Sequence, residues 1–248
     1  MKALITGASS GMGRDFATIL SSMGYDLVLV SRTKKKLEEV KKLCSTNVTI
    51  EVMDLSNIDN CKELYKKHKD IELLINNAGF GLFGEFSKTS LDKELEMIDL
   101  NIKSLHVLTK LYLQDMIKKD SGRILNVASS AAFLPGPLMS TYYSTKSYVL
   151  RLTTAIYEEL RRNKSNVKIS VLCPGPVDTN FNNVANVKFS IKSLKSMDVA
   201  KYAIKKMFKN KLIIVPGLMC KLGTFGTRLV SIKTLLKIDY NIQRKKGN

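Results

Sequence analysis

The sequence predicts an α/β fold: a doubly wound parallel sheet of about seven strands with helices on both faces, in one domain with a C-terminal helical tail. Three observations predict it. Short apolar runs alternate along the chain with amphipathic stretches of helical period, the pattern of strands joined by crossover helices. The first run leads straight into a glycine-rich turn, Gly7-Ala8-Ser9-Ser10-Gly11-Met12-Gly13, and then into a helix pattern. Later runs end in small, amide or Gly-Pro residues, at the edge where such a sheet opens onto a ligand crevice.

The elements follow in order. Met1 to Thr6 reads as a buried strand, and Phe16, Ile19, Leu20 and Met23 mark the helix after the glycine turn. Strand, glycine turn and helix form a phosphate cradle: glycine lets the backbone approach a pyrophosphate, and the helix N-terminus faces its charge. The spacing is Gly-x-x-x-Gly-x-Gly, which assigns Gly7, Ser9, Ser10, Gly11 and Met12 to cofactor contact. Leu27 to Val30 is the second strand, followed by Ser31 and Arg32. An acidic residue on a ribose 2′-hydroxyl belongs about 20 residues past the turn. A guanidinium there suits a 2′-phosphate instead, so NADP is expected over NAD. Lys34 to Lys36 are surface lysines that could assist.

A helix is expected over 33–44 and a third strand over Val48 to Met53, ending in Asp54-Leu55. That carboxylate either reaches an adenine amino group or caps the next helix. Strand four, Ile71 to Ile75, runs into Asn76-Asn77-Ala78-Gly79, residues that suit close backbone approach to a ligand. Phe80-Gly81-Leu82-Phe83-Gly84 is a plain loop or one wall of an apolar pocket. Leu91 to Lys119 reads as helix in two segments meeting near Asn101, which is either an N-cap or a buried polar residue with a purpose. Strand five is Ile124 to Val127. A helix starts near Ser140, whose hydroxyl is the candidate N-cap, and runs to 163. Val167 to Cys173 is strand six, ending in Pro174-Gly175-Pro176-Val177-Asp178-Thr179. Residues 180–196, with Phe181 and Phe189, read as an irregular polar lid. A helix from about Asp198 and a strand, Leu212 to Val215, complete the sheet.

Composition bounds the function. The 248 residues carry 44% hydrophobic side chains at a mean hydropathy of −0.05, enough for one α/β core. No apolar run approaches a membrane span, and with the first strand starting at Lys2 no signal peptide is expected. Cys44, Cys61, Cys173 and Cys220 lack metal spacing, and His68 and His106 stand far apart, so no metal is expected. Such cysteines suit a reducing, cytoplasmic setting. The net charge of +18 comes from lysines scattered in short runs, chiefly solvated helix faces and secondarily a field for anionic ligands. Neither zinc-finger spacing nor an RNP-like run points to nucleic acid.

The chemistry concentrates at 123–146. Tyr142 and Lys146 are i and i+4 on one helix face, and Ser129 closes the preceding strand. Reduction of a carbonyl requires a proton for the developing alkoxide. A free phenol, pKa ~10, exchanges it poorly at neutral pH, and a neighbouring cation lowers that pKa. A serine hydroxyl can hold the carbonyl oxygen. Tyr142 is therefore the expected acid/base, Lys146 its electrostatic partner and Ser129 the substrate anchor. The Tyr-x-x-x-Lys spacing alone is weak: it recurs at Tyr65/Lys69 and Tyr202/Lys206, in Lys-rich helical stretches.

Over roughly residues 1–216 the chain resembles the short-chain dehydrogenase/reductase family, whose domain is a Rossmann fold. Four motifs agree in order and spacing: Thr6-Gly7-x-x-x-Gly11-x-Gly13, Asn76-Asn77-Ala78-Gly79, Ser129 with Tyr142-x-x-x-Lys146, and Pro174-Gly175 with Thr179. The resemblance implies that Asn101 is a fourth catalytic residue, holding a water in a proton relay with Lys146. It implies that Lys146 also binds the nicotinamide ribose, that Pro174, Val177 and Thr179 border the carboxamide, and that Asn77, Ala78 and Gly79 flank the adenosine, with Asp54 and Leu55 nearby. Ser129 rather than Ser130 is the family's serine because it lies three after Asn126; Ser130 is the fallback. The resemblance further implies a homo-oligomer, dimer or tetramer. The expected activity is NADP-dependent interconversion of a small-molecule carbonyl and alcohol, in a pocket lined by Phe80, Leu82, Ala131, Phe133 and Phe181. A non-catalytic nucleotide-sensing or membrane-surface scaffold is the alternative. The tail, 217–248, departs from the family. It mixes Leu, Met, Phe and Val with Lys and Arg, and reads first as a helix packed on the domain or a neighbouring subunit, second as a contact for an anionic membrane.

Overall fold

The structure is a computed structural model that describes residues 1–179, 193–227 and 229–244. Seven strands form its main sheet: β1 (Lys2–Thr6), β2 (Asp26–Ser31), β3 (Val48–Val52), β4 (Leu73–Asn76), β5 (Arg123–Val127), β6 (Lys168–Leu172) and, last in the chain, β9 (Ile213–Ile214). All pairings are parallel, in the order β3-β2-β1-β4-β5-β6-β9. The order reverses between β1 and β4, so the loops after these two strands diverge and leave a crevice between them.

Alternation along each strand builds the two faces. Ala3 and Ile5 of β1, with Leu27 and Leu29 of β2, join one core cluster; Leu4, Val28 and Val30 between them join another. The first face is covered by α1 (Gly11–Ser22), α2 (Lys34–Lys41) and α7 (Ser196–Phe208), through Phe16, Leu20, Leu37, Val199 and Met207. The second is covered by α3 (Ile58–Lys67), α5 (Leu105–Lys118) and α6 (Ser140–Arg162), through Leu64, Leu108, Tyr112 and Leu160. A network of amides and hydroxyls ties the sheet to this layer. Asn76 Nδ2 donates to Thr109 Oγ1 at 3.0 Å and to Asn126 Oδ1 at 2.9 Å, and Asn126 Nδ2 donates to Thr153 Oγ1 at 3.0 Å. All four residues are buried, and each of these donors has an acceptor.

Several expectations need correcting. Ser140 does not cap α6: Met139 occupies the N-cap position and no side chain caps the helix. The reason is in the preceding loop, where Gly136 and Met139 close a turn through a backbone bond of 3.0 Å. Asp54 does not cap α3 either. Its Oδ1 accepts from the Ser56 amide and hydroxyl, and Asn57 caps the helix by accepting from the Asp59 amide. The irregular lid begins to fail at its C-terminal end: β8 (Leu194–Lys195) pairs in parallel with β7 (Val177–Asp178), and α7 starts at Ser196. The rest of that stretch, 180–192, with Phe181 and Phe189, lies outside the described residues. The helix expected over 91–119 is α4 (Leu91–Ile98), a π-helical segment (Asp99–Ser104) and α5. Asn101 sits inside the π segment, buried rather than capping.

Two helices follow the sheet, α8 (Leu218–Gly226) and α9 (Ile232–Arg244). α9 lies against the domain on a stripe of i, i+4, i+8 residues, Leu235, Asp239 and Gln243, all buried. Asp239 Oδ2 accepts from the Gly136 amide at 2.8 Å, and Gln243 donates to the Tyr143 hydroxyl.

Candidate active site

One cleft of about 920 Å³ lies outside the carboxyl ends of β1, β2, β4, β5 and β6. Its first wall is the turn after β1. Gly7 adopts φ +64°, a left-handed conformation, and a β-carbon there would stand 2.9 Å from Ala78 Cα. A β-carbon on Gly13 would run into the Gly7 carbonyl. The turn is held down from β4. Thr6 Oγ1 accepts from the amides of Asn77 and Ala78, both at 3.0 Å, and Asn77 Nδ2 donates to the carbonyls of Thr6 and Gly7. The Asn77 amide is therefore spent on the loop, while its residue still borders the cleft. Ser10 precedes α1 in extended backbone without capping it, and the first turn of α1 carries no acidic residue. Bare first-turn amides beside a glycine-rich loop of small side chains fit a pyrophosphate.

All the residues assigned to a cofactor line this one cleft: Gly7, Ser9 to Met12, Arg32, Asp54, Leu55, Asn77 to Gly79, Tyr142, Lys146, Pro174, Val177 and Thr179. Arg32 is 61% exposed in its side chain. Its Nη1 donates to Glu96 Oε1 of α4 at 3.1 Å and stands 3.7 Å from Asp54 Oδ2. Sequence reading missed Glu96, because nothing local distinguishes it from other surface carboxylates of α4.

At the other end Ser129, Tyr142 and Lys146 converge. The Ser129 hydroxyl hydrogen-bonds the Tyr142 phenol, accepts from the Ala131 amide at 3.1 Å, and reaches the Pro174 carbonyl at 3.5 Å. Ser130 also borders the cleft. Lys146 Nζ donates to the Val127 carbonyl at 3.1 Å and lies 5.9 Å from the centre of the Tyr142 ring. Both side chains are buried. Burial pushes the Tyr142 phenol up to about 12, against the lowering effect of Ser129, and pushes Lys146 down to about 8. The lowering expected from the cationic neighbour is not found: burial raises the phenol, opposed by the Ser129 hydrogen bond. In this state each is in its protonated form at neutral pH.

Asn101 is not on the cleft wall. From the π segment it brackets Phe80, accepting from its amide at 3.1 Å and donating to its carbonyl at 2.9 Å, and it donates to Thr145 Oγ1 at 3.1 Å. A β-carbon on Gly79 would meet both Asn101 Oδ1 and Lys146 Nζ, so only this glycine separates the two. Phe80, Ala131 and Phe133 line the cleft. Leu82 does not: it packs behind, against the cluster of Met97, Met139 and Tyr143. Phe181 lies outside the described residues. The largest omission is the tail. Met219, Cys220, Thr224, Val230, Leu235 and Ile238 line the outer part of the cleft, and Cys220 Sγ lies where a β-carbon on Gly175 would stand. The i, i+4 spacing of 235, 239 and 243 was the available signal for one inward face.

Comparison with known proteins agrees with this geometry. A family model described as short chain dehydrogenase matches residues 1–188. An uncharacterized oxidoreductase of Staphylococcus epidermidis is 35% identical over 182 residues, covering 71% of this chain and 78% of its own. The solved short-chain dehydrogenase of Sphingobium yanoikuyae in complex with NADPH superposes with a TM-score of 0.84 at 26% identity, over 92% of this chain and 93% of its own. A short-chain dehydrogenase/reductase of Burkholderia phymatum in complex with NAD gives 0.82 at 25%, over 90% and 91%. A parallel sheet of this order, a glycine cradle at its switch point and a family match across the whole nucleotide-binding half lead to one conclusion: the chain belongs to the short-chain dehydrogenase/reductase family and is an oxidoreductase.

Proposed function

We propose that the protein interconverts a carbonyl and an alcohol on an apolar small molecule, using NADP, with Tyr142 as acid/base. The observation that carries this reading is the meeting of Ser129, Tyr142 and Lys146 at the end of the glycine-cradled cleft. When bound, a nicotinamide cofactor supplies or accepts the hydride.

The chain's own residues account for the rest. The Ser129 hydroxyl holds the carbonyl oxygen and donates to it as negative charge develops. The Tyr142 phenol, held protonated by burial, releases its proton to the alkoxide oxygen. The Lys146 ammonium beside the ring stabilises the phenolate left behind, and its position next to Gly79 and Asn101 offers a route for returning the proton. Asn101 contributes chiefly by holding Phe80 and the π segment. In the oxidative direction the same groups run in reverse. Phe80, Ala131, Phe133 and the apolar residues of the tail exclude water from the reacting oxygen, which strengthens each of these charge interactions.

Arg32 at the adenosine end supports NADP, since no carboxylate at Ser31 would bind both ribose hydroxyls. The solved relatives carry NADPH in one case and NAD in another, so the choice rests on Arg32 and its neighbours. The free cysteines suit the cytoplasm as the compartment, and the family resemblance alone supports a homo-oligomer. The test is NADPH oxidation, followed by absorbance, against a panel of bulky ketones, steroid-like ketones and acyl thioesters. Turnover of none of them by a protein that binds NADPH would favour the nucleotide-sensing alternative.

A further inference from the structure

α8 (Leu218–Gly226) turns no residue fully into the protein. Leu218, Leu222 and Phe225, at i, i+4 and i+7, share a face and are 71%, 59% and 59% exposed; Met219 beside them is 80% exposed and Leu229 just beyond is 75% exposed. Five large apolar side chains within twelve residues are far more than the scattered singles a soluble surface carries. The helix is nonetheless anchored. Its half-buried Cys220 packs on Gly175, and its polar and small side, Gly223 and Thr224, borders the cleft. The apolar face thus points away from the domain while the opposite one is docked.

Charge identifies what covers it. Residues 217–248 contain seven Lys and Arg against one carboxylate, Asp239. That carboxylate is buried and bonded to the Gly136 amide, so it offers nothing to a partner. Lys233 and Lys237 on the outer side of α9 are exposed, as is Lys221 within α8, whose ammonium lies over the Tyr202 ring at 5.4 Å. A second copy of the chain seated on this face by two-fold symmetry would bring lysines against lysines, on molecules that each carry a net charge of +18. An anionic lipid surface supplies what both features need: an acyl boundary for the aliphatic and aromatic side chains, and phosphate or carboxylate headgroups for the lysines. No helix among the described residues is long and apolar enough to cross a membrane, so the contact is peripheral.

We infer that α8 and the basic outer side of α9 form a docking surface for an anionic membrane, with the outer rim of the cleft, at Met219 and Val230, against the bilayer. An apolar substrate would then enter from the lipid phase without crossing water. The docking itself does not depend on which cofactor or substrate the enzyme uses.

The experiment is co-flotation of the full-length protein with vesicles of phosphatidylcholine, with and without phosphatidylserine, at low and high salt. Each lysine within reach of anionic headgroups raises partitioning about five-fold, so the protein should float with anionic vesicles at least about ten-fold better than with neutral ones and lose that advantage at high salt. Leu222→Glu with Phe225→Glu should abolish flotation and leave NADPH titration unchanged, since neither residue lines the cleft. Charge reversal at Lys233 and Lys237 should weaken flotation with the apolar face intact. Absence of flotation with anionic vesicles at low salt overturns the inference. So does equal flotation with neutral vesicles. A dimer that the double variant converts to a monomer, without any vesicle binding, assigns the face to a second copy and overturns it as well.

Discussion

Arg32 Nη1, at the edge of the cleft, donates to Glu96 Oε1 at 3.1 Å. The guanidinium that would receive a 2′-phosphate is therefore already engaged by a carboxylate from α4. Glu96 is itself held by Lys93, whose Nζ donates to its second oxygen at 2.8 Å. That hydrogen bond, with the Arg32 charge and against the opposing effect of partial burial, keeps the Glu96 carboxyl below its usual range, so it is ionised at neutral pH. Binding of a 2′-phosphate must displace or share this contact. Glu96→Gln should improve NADPH affinity several-fold, by removing a repulsive charge and freeing the guanidinium, and leave NADH affinity unchanged. Fluorescence titration with both cofactors reads the outcome; an equal effect on both would mean that Glu96 acts on the adenine side alone.

The complementary change removes the attraction. A charge-assisted guanidinium–phosphate contact is worth about 1.5–3 kcal/mol, roughly ten- to a hundred-fold in affinity. Since Arg32 is well exposed and shared with Glu96, the lower end applies. Wild type should prefer NADPH by about ten-fold, less at high salt. Ser31→Asp with Arg32→Ala should erase or reverse the preference. Equal dissociation constants for the two cofactors in wild type would remove Arg32 from the site.

Tyr142→Phe removes the proton donor and leaves the ring in its packing against Tyr143, 5.9 Å between centroids. Turnover should fall by about 10²–10⁴-fold with cofactor binding retained. Near wild-type turnover on a true substrate would show that another group supplies the proton.

Lys146 gives a pH signature in stability. Burial holds its folded-state pKa at about 8, below the unfolded value of 10.5. Between those limits the unfolded chain binds the extra proton, so stability rises with pH through the window and is lost as pH falls through 8. Tyr142 contributes the opposite slope only above pH 10, where the unfolded phenol ionises and the buried one does not. Lys146→Met should therefore be more stable than wild type near pH 7, by on the order of 2–3 kcal/mol, and the advantage should shrink towards pH 10. Urea midpoints at both pH values measure it. A pH-independent difference would mean that water reaches the ammonium.

Asp239→Leu cuts the tie between α9 and the loop at Gly136, leaving a buried amide without its acceptor. Stability should drop by about 1–3 kcal/mol. Because Leu134, Met139 and Tyr143 of that region line the cleft, KM for the carbonyl substrate should rise while NADPH affinity holds. Unchanged KM would confine α9 to a structural part.

The α/β class, the seven sheet strands and the nucleotide-type turn were legible in the chain because each is written in local terms. Short apolar runs mark the buried strands, and the glycines of 7–13 mark a turn whatever surrounds them; which of Ala3, Leu4 and Ile5 faces which helix layer came from the structure. Strand ends were legible only to within a residue or two, since a strand stops where its neighbour stops: β4 begins at Leu73, opposite Ala3, rather than at Ile71. The β7–β8 pair was invisible, because two residues acquire strand geometry only from a partner 17 positions away, Val177 against Leu194. Residue types at 129, 142 and 146 suggested proton chemistry, but the burial that raises the Tyr142 phenol and lowers Lys146 is a property of the packed fold. Glu96 meets Arg32 across 64 residues of chain, and Asp239 meets Gly136 across 103. Such partners follow from how helices lie on the sheet, and no sequence pattern within either helix encodes the other end of the contact. The tail shows the division most plainly: its mixture of apolar and basic residues was readable as amphipathic, but which side chains face the cleft and which face outward depended on the docking of Cys220 on Gly175 and of Asp239 on Gly136, both contacts between segments far apart in the chain.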